Sequence, residues 1–100
     1  MLTIITRVRL RGDATEQWDE AMHRRVEAAR DCQGWVAAQV LKGRDDRLAR
    51  AIVGVWESVD DWAAWHDDPT FRATRQELAG LEDGSGESTW YETLELQPDR

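Results

Sequence analysis

The chain has 100 residues, of which 41% are hydrophobic and 33% charged, and its formal net charge is −7. This length predicts one domain over residues 1–100, and the negative charge disfavours nucleic acid and anionic membranes as partners. No stretch approaches the roughly 20 apolar residues of a membrane span. The N-terminus lacks the basic lead and cleavage site of a signal peptide, so we expect a cytoplasmic protein.

The charge is distributed unevenly along the chain. Residues 1–50 carry ten basic and eight acidic groups (+2), and residues 51–100 carry three basic and twelve acidic groups (−9). Arg7, Arg9 and Arg11 alternate along the first predicted strand and therefore share one face. Two interpretations stay open: a solvated or salt-bridged sheet face, or a contact with an anionic ligand or the acidic half of a second copy.

The first half of the chain reads as strand, helix and strand. Alternating apolar residues predict a strand over residues 2–11, and helical spacing from Trp18 predicts a helix over 14–33. The apolar stripe of this helix consists of Trp18, Ala21, Met22, Arg25, Val26 and Ala29. We expect Asp13 and Glu16 to cap its start and Gly34 to end it. A second strand follows over residues 35–42.

The second half supplies two more strands and two helices. A third strand is predicted over residues 48–57, and its apolar run on both faces is typical of a central strand. Ser58 and Asp61 predict the start of a helix over 59–66, and Asp68 with Pro69 predicts the start of another over 69–81. After a loop, a last strand is expected over residues 88–97.

This order, β-α-β-β-α-α-β, predicts an α+β fold of the ferredoxin-like type, in which a four-stranded antiparallel sheet carries its helices on one face. The other sheet face would then be uncovered. Two sheets packed face to face would cover both, so we predict a homodimer. The residues expected in that interface are Ile5, Val53, Val55 and Tyr91.

One local pattern points to a known family. The segment Trp56-Glu57-Ser58, followed by Trp62-x-x-Trp65 and Pro69-x-Phe71, resembles the antibiotic biosynthesis monooxygenase domain, as do the size and the order of elements. This family belongs to the dimeric α+β barrel superfamily, so the resemblance implies that two sheets pair into a barrel. The superfamily includes cofactor-free quinone-forming monooxygenases, haem-degrading monooxygenases, isomerases and dehalogenating enzymes, and some members without known activity. Fold alone does not choose among them.

The resemblance allows a test for haem degradation. Members of that branch carry an Asn in the first strand, a Trp in the helix after strand three, and a haem-ligating His four residues beyond the Phe of the next helix. Here these positions hold Thr6, Trp65 and Arg75. Arginine stays protonated and cannot ligate iron. We therefore expect no haem and no other cofactor, with His66 and His23 as the remaining possible ligands.

The cofactor-free branch implies a different chemistry. A phenol or hydroquinone loses a proton, its anion passes an electron to oxygen, and a quinone results. Under this resemblance Trp65 would stack on the ring together with Trp62 or Trp56. Arginines would hold the developing anion, and His66 would accept the proton. The candidate catalytic residues are Trp65, Arg75 and His66, and the candidate substrate-binding residues are Thr6, Arg7, Trp56, Trp62 and Phe71.

Structural roles remain as alternatives for the same residues. Trp18 and Phe71 fit a simple core, and Trp56 and Trp90 fit packing beneath the helices. We expect one of the two tryptophans of the second helix to point inward and the other to edge the surface. His66 also fits a solvated helix end, and His23 the protein surface.

Arg75 lies on a predicted apolar stripe, so it needs either a carboxylate such as Glu57, Glu92 or Glu95 or a route to water. The second functional hypothesis is a non-catalytic ligand-binding or accessory dimer in a biosynthetic pathway. A hollow beneath the helices with room for an aromatic ring favours an enzyme or a binder. A hollow filled by the tryptophans favours a structural role.

Overall fold

The computed structural model describes residues 1–97, which form a four-stranded sheet and three helices. The elements are β1 Leu2–Arg9, α1 Thr15–Ala29, β2 Trp35–Lys42, β3 Ala49–Trp56, α2 Val59–Asp67, α3 Pro69–Ala79 and β4 Glu87–Glu92. This is the predicted order of strands and helices. Among the described residues, no helix combines the length and the apolar character that crossing a membrane requires.

The sheet has the strand order β2-β3-β1-β4, and every neighbouring pair is antiparallel. β1 and β3 are therefore the central strands, as the apolar run in β3 predicted. The register places Ile4 opposite Gly54 and Ile5 opposite Val53. An irregularity between Trp35 and Ala37 shifts the register at the start of β2. The α+β ferredoxin-like plan is confirmed.

The two faces of the sheet differ in what covers them. Directly opposed residues of antiparallel strands point to the same face, so the register places four residues together on the face away from the helices: Ile5, Val53, Val55 and Tyr91. The first three are half-buried, and Tyr91 is exposed. The helices pack on the opposite face, which carries the buried Leu2 and Ile4. The predicted interface residues thus share one face, and its pairing with a second copy stays a prediction.

The ends of α1 differ from the prediction. The helix stops at Ala29 instead of Gln33, and no side chain caps its start. A backbone bond from Ala14 N to Arg11 O (3.0 Å) makes the entering turn, so the Asp13 side chain does not cap the helix. Gly34 follows the closing turn with φ +83°, and a Cβ there would lie 2.1 Å from Asp61 Oδ2. Glycine is thus needed both for its backbone conformation and for its close approach to α2.

The starts of α2 and α3 follow the prediction closely. Ser58 Oγ accepts a hydrogen bond from the Asp61 backbone N–H at 3.1 Å. Asp68 Oδ1 accepts one from the Thr70 backbone N–H at 2.8 Å, and Pro69 occupies the first position of α3. Because both caps are local, the sequence alone was enough to position these helix starts.

Strand β4 is shorter than predicted. It ends at Glu92 instead of Gln97 because its partner β1 begins at Leu2, which lies opposite Glu92. One more backbone bond joins Thr93 N to Met1 O at 3.0 Å. Beyond it, Leu94 lies outside the strand and is 99% exposed, so the predicted strand over residues 88–97 is too long at its end.

Two hydrophobic clusters lie between the helices and the sheet. The first, here called the Trp18 cluster, contains the buried residues Leu10, Trp18, Ala21, Met22 and Leu78. The second, called the Trp65 cluster, contains Ala29, Trp56, Trp65 and Phe71. Trp18 and Phe71 therefore belong to the core, as expected.

Candidate functional site

A cavity of about 140 Å³ lies between the sheet and the helices beside the Trp65 cluster. It adjoins a wider groove of about 710 Å³. The residues that line both spaces are Thr6, Met22, Arg25, Ile52, Trp62, His66 and Phe71. The candidate site is thus a small cavity next to a larger groove, and the two together offer room for a planar ring system.

The inner wall of the cavity is aromatic. Trp56, Trp65 and Phe71 line it while remaining only 5–7% exposed. Trp65 and Phe71 meet edge to face, with ring centroids 5.6 Å apart and an interplanar angle of 74°. Because protein atoms cover most of each ring, these residues shape the cavity more than they offer free stacking faces.

Trp62 lies at the edge of the cavity. Trp65 is buried and Trp62 is half-buried, so one tryptophan of α2 points inward and the other edges the surface, as predicted. The Trp62 ring lies 3.9 Å from the His66 ring, measured between centroids. Trp62 therefore has surface left for a bound ring, as does Trp35 of β2, which is also half-buried and also lines the cavity.

Trp90 packs against a helix, as predicted, but is less covered than Trp56. It lies opposite Ile4, on the helical face of the sheet. It is 43% exposed. Its ring meets Trp62 edge-on, with centroids 4.4 Å apart at 70°. β4 is an edge strand with only β1 beside it, so the helices do not cover Trp90 fully. The partly exposed Trp90 ring thus packs against the Trp62 side chain of α2.

His66 lies between two aromatic rings and is half-buried. Its ring centroid is 3.9 Å from that of Trp62 and 4.1 Å from that of Phe71. Nδ1 is 2.9 Å from Trp62 O. A carbonyl oxygen only accepts, so Nδ1 carries the hydrogen and Nε2 keeps its lone pair.

This surrounding keeps His66 neutral at physiological pH. Burial lowers the pKa of His66 below its ordinary value of 6.5, the charges of Arg25 and Arg75 lower it further, and the hydrogen bond to Trp62 acts the other way. The structure thus places His66 in an aromatic setting instead of at a solvated helix end. A neutral imidazole with a free Nε2 can accept a proton from a bound phenol.

Arg25 is a site residue that the sequence analysis did not nominate. Its guanidinium carbon lies 4.2 Å above the Phe71 ring centroid, and its Nε donates to Thr74 Oγ1 at 2.9 Å. It lines both the cavity and the groove. The available signal was an arginine within the apolar stripe of α1, the same signal that drew attention to Arg75 on α3.

Arg75 lies at the groove and not in the inner cavity. It is exposed, so its predicted place on a buried stripe is wrong, and water solvates its charge instead. Within residues 1–97 it forms no ion pair with Glu57, Glu92 or Glu95. Its charge nevertheless acts on the site, because it lowers the pKa of His66.

The two candidate residues of β1 separate because strand neighbours point to opposite faces. Thr6 faces the helices, lines both spaces, and has its Oγ1 2.9 Å from Ser88 Oγ. Arg7 is exposed on the other face, opposite Ala51 and Glu87. The structure therefore brings Thr6, Trp56, Trp62, Trp65, His66 and Phe71 together at the cavity and Arg75 beside it, and it leaves Arg7 outside.

No cluster of three or more metal-binding side chains occurs in the stretch from residue 1 to residue 97. Cys32 adjoins the Trp65 cluster, and burial and the charges of Asp68 and Asp31 raise the pKa of its thiol. A raised pKa leaves little thiolate at neutral pH. The chemistry that the cavity offers is thus an aromatic surface, a neutral imidazole and nearby positive charge.

Solved structures resemble this fold closely at low sequence identity. A protein from Nitrosomonas europaea, assigned by name to the antibiotic biosynthesis monooxygenases, superposes with a TM-score of 0.89 at 20% identity over 95% of this chain and 100% of that one. SnoaB from Streptomyces nogalater, a cofactor-independent oxygenase, gives 0.87 at 19% identity over 98% and 97%. Rv0793 from Mycobacterium tuberculosis gives 0.88 at 14% identity over 97% and 98%. At these identities the likeness establishes the fold.

The family assignment comes from the sequence itself. No curated protein matches the chain significantly. The sequence model of the antibiotic biosynthesis monooxygenase family, in contrast, matches residues 1–77. These residues include β1, α1, β2, β3, α2 and most of α3. The protein therefore belongs to the antibiotic biosynthesis monooxygenase family.

Proposed function

We propose that this protein is a cofactor-independent monooxygenase that oxidises an aromatic or polycyclic phenol to a quinone in the cavity beside Trp65. The observation that carries the proposal is His66, whose Nδ1 is fixed by the Trp62 carbonyl and whose Nε2 is left as a base within an aromatic cavity. Family membership and the cofactor-independent chemistry of SnoaB support the reaction class.

The reaction balances without a cofactor. The phenol loses its proton to His66, and the resulting phenolate transfers an electron to O₂. The two radicals combine at a ring carbon, and loss of water from the peroxide gives the quinone. One oxygen atom enters the product and the other leaves as water, so the substrate supplies all the electrons. The protein must bind the ring, favour the anion and accept the proton.

Each task falls to a residue of the site. Trp62 supplies a ring face at the edge of the cavity, and the Trp65 cluster sets the cavity shape. His66 Nε2 accepts the phenolic proton. Arg75, whose charge already acts on His66, favours the phenolate that forms beside it. Thr6 lines the floor between them from β1.

The proposal includes a homodimer formed through the outer sheet face. Ile5, Val53 and Val55 form a continuous apolar patch at the centre of this face, with Tyr91 at one side. Apolar residues on a face without a helical layer favour association of two sheets. We expect sedimentation analysis to give a dimer at micromolar concentration, and Val53→Asp to convert it to a monomer.

Oxygen uptake with a series of phenols of increasing ring number tests the reaction. Phenol, 1-naphthol and 1-hydroxyanthracene would be incubated with metal-free protein under ¹⁸O₂. We expect uptake to increase with ring number and one ¹⁸O atom to appear in the quinone. A product formed without label, or uptake equal to that of buffer, would refute the monooxygenase.

The same assay addresses the second candidate function. The small inner cavity and the near-complete burial of Trp56 and Trp65 also suit a protein that binds a ring without converting it. Saturable binding of the phenols with no oxygen uptake would support this ligand-binding or accessory role.

A further inference from the structure

Arg25 is a half-buried cation that has no carboxylate partner among the described residues. Its Nε is bonded to Thr74 Oγ1, which in turn donates to Phe71 O at 2.8 Å, and its guanidinium lies over the Phe71 ring. The side chain is thus fixed from two sides. Within residues 1–97 its Nη1 and Nη2 make no hydrogen bond, and Arg25 belongs to no ion pair.

Arg50, which is buried, has the carboxylate partner that Arg25 lacks within residues 1–97. Arg50 is 5% exposed, and its Nε and Nη2 bind the two carboxylate oxygens of Asp19 at 2.8 and 3.1 Å. A buried charge is costly unless a partner compensates it. Arg25 has no such partner within residues 1–97 and lies at a cavity, so its two terminal nitrogens are placed to bind an anion.

The carboxylate whose charge acts on Arg25 is already engaged. Glu82 Oε2 accepts a hydrogen bond from Trp18 Nε1 at 2.9 Å. Burial lowers the pKa of Arg25 to about 10, and the charge of Glu82 partly offsets this effect. Arg25 therefore stays charged at neutral pH while Glu82 remains bound elsewhere.

The groove around Arg25 is positive although the protein is acidic. Its charged lining consists of Arg25, Arg72, Arg75, Asp67 and Glu82, which is one net positive charge in a chain of net charge −7. Arg72 and Asp67 pair with each other at 3.7 Å. The groove can therefore attract an anion although the protein as a whole is acidic.

We propose that Arg25 binds a carboxylate carried on the aromatic ring of the substrate, which makes the substrate a hydroxylated aromatic carboxylic acid. The planar fork of a guanidinium matches a carboxylate in two parallel hydrogen bonds. Arg25 and His66 both lie against Phe71, so one planar molecule can place its carboxylate at the arginine and its hydroxyl at the histidine. The oxidation of this ligand rests on the proposed function, whereas its binding does not.

Anaerobic binding of a matched ligand pair tests the assignment. Quenching of tryptophan fluorescence would be titrated with 5-hydroxy-1-naphthoate and with 1-naphthol. The two differ only in the carboxylate, which lies too far from the hydroxyl for an internal hydrogen bond. We expect the wild type to bind the naphthoate more tightly and Arg25→Gln to weaken naphthoate binding about tenfold or more, with a smaller change in 1-naphthol affinity. Arg25→Lys keeps the charge without the fork, so we expect an intermediate loss.

Arg24→Gln is the control, because it removes the same charge from the neighbouring exposed position of α1, outside the cavity. It should leave the ratio of the two affinities at the wild-type value. Circular dichroism and thermal melting would show that each variant is folded, and the ratio measured with Arg25→Lys decides the test if Arg25→Gln does not fold.

Equal wild-type affinity for the two ligands, no binding of either, or an unchanged ratio in Arg25→Gln and Arg25→Lys would overturn the assignment. Tight naphthoate binding that depends on Arg25, without oxygen uptake, would instead sustain it and refute the monooxygenase.

Discussion

The two hydrophobic clusters lie beneath the same helices but border the cavity differently. The Trp65 cluster lines it with three aromatic rings, whereas the Trp18 cluster contributes Met22. In the Trp18 cluster, Trp18 and Ala21 have no exposed surface. The Trp65 cluster borders a cavity of about 140 Å³. Helix α1 contributes residues to both clusters, and Arg25 lies on its apolar stripe between Met22 of the first and Ala29 of the second. A Met or Leu at this position of the stripe would fill the space with apolar atoms. A charged residue there instead leaves the space open and lines it with a polar group.

The largest effect on stability is expected at the filled cluster. Trp18→Ala removes a fully buried ring and its hydrogen bond to Glu82. We expect the free energy of unfolding to fall by about 3–5 kcal/mol. Urea denaturation followed by circular dichroism measures the loss. A decrease below about 1 kcal/mol would mean that this cluster is not the better-packed one.

The largest effect on activity is expected at the open cluster. His66→Gln removes the proton acceptor while leaving the cavity lining in place, so we expect oxygen uptake with 1-naphthol to fall about hundredfold or more. His23→Gln, at an exposed position of α1, is the matched control and should retain the wild-type rate. Equal rates in both variants would remove His66 from the mechanism.

The pH dependence sharpens the same point. Burial lowers the pKa of His66 below 6.5. The rate should therefore rise with pH through a value below 6.5 and be level at neutral pH. Because the unfolded chain binds this proton more readily, His66 should also make the protein less stable as pH falls below 6.5. A rate that rises only above pH 7 would indicate a different base.

A smaller effect is expected for the ring at the cavity edge. Trp62→Ala removes the half-buried face available for stacking, so we expect 1-naphthol affinity to fall several-fold, about 2–10 times, through the loss of about 0.5–1.5 kcal/mol. Trp35→Ala, which removes the half-buried tryptophan that lines the cavity from β2, serves as the comparison. A greater loss of affinity in Trp35→Ala than in Trp62→Ala would mean that the ligand stacks on Trp35 of β2 instead of Trp62 of α2.

The smallest effect is expected for Arg75→Ala. Arg75 is exposed and forms no ion pair within the described part of the chain, so stability should change by less than about 0.5 kcal/mol. Turnover should fall about two- to threefold, because a solvent-exposed charge stabilises a nearby anion only weakly. Arg44→Ala in the β2–β3 turn is the control. Unchanged turnover, with reduced stability, would show that Arg75 has no part in favouring the phenolate.

The local features of the fold followed directly from neighbouring residues. The caps made by Ser58 and Asp68 each need a partner only two or three positions away, so a short segment specifies them. The end of β4 depended on a strand some 90 positions earlier in the chain, and no pattern within residues 88–97 reveals where β1 stops pairing. Alternation predicted a longer strand for that reason.

The candidate site was predictable in its aromatic part and not in its charged part. Trp62, Trp65, His66 and Phe71 come from one continuous segment, so spacing and resemblance together selected them. Arg25 joins them from a helix about 40 positions earlier, and only the packing of α1 against α3 brings it over Phe71. The same packing turned Arg75 outward, because Thr74 and Leu78 occupy the inward positions of α3.

The amino-acid sequence by itself determined the order of strands and helices, the central place of β3, the caps of α2 and α3, and the family. These depend on periodicity and on contacts between near neighbours. Only the tertiary structure decided where an open space remains, which arginine borders it and which tryptophan shows a free face. Those outcomes depend on how separate helices dock on one sheet, where the residues in contact are far apart in the chain.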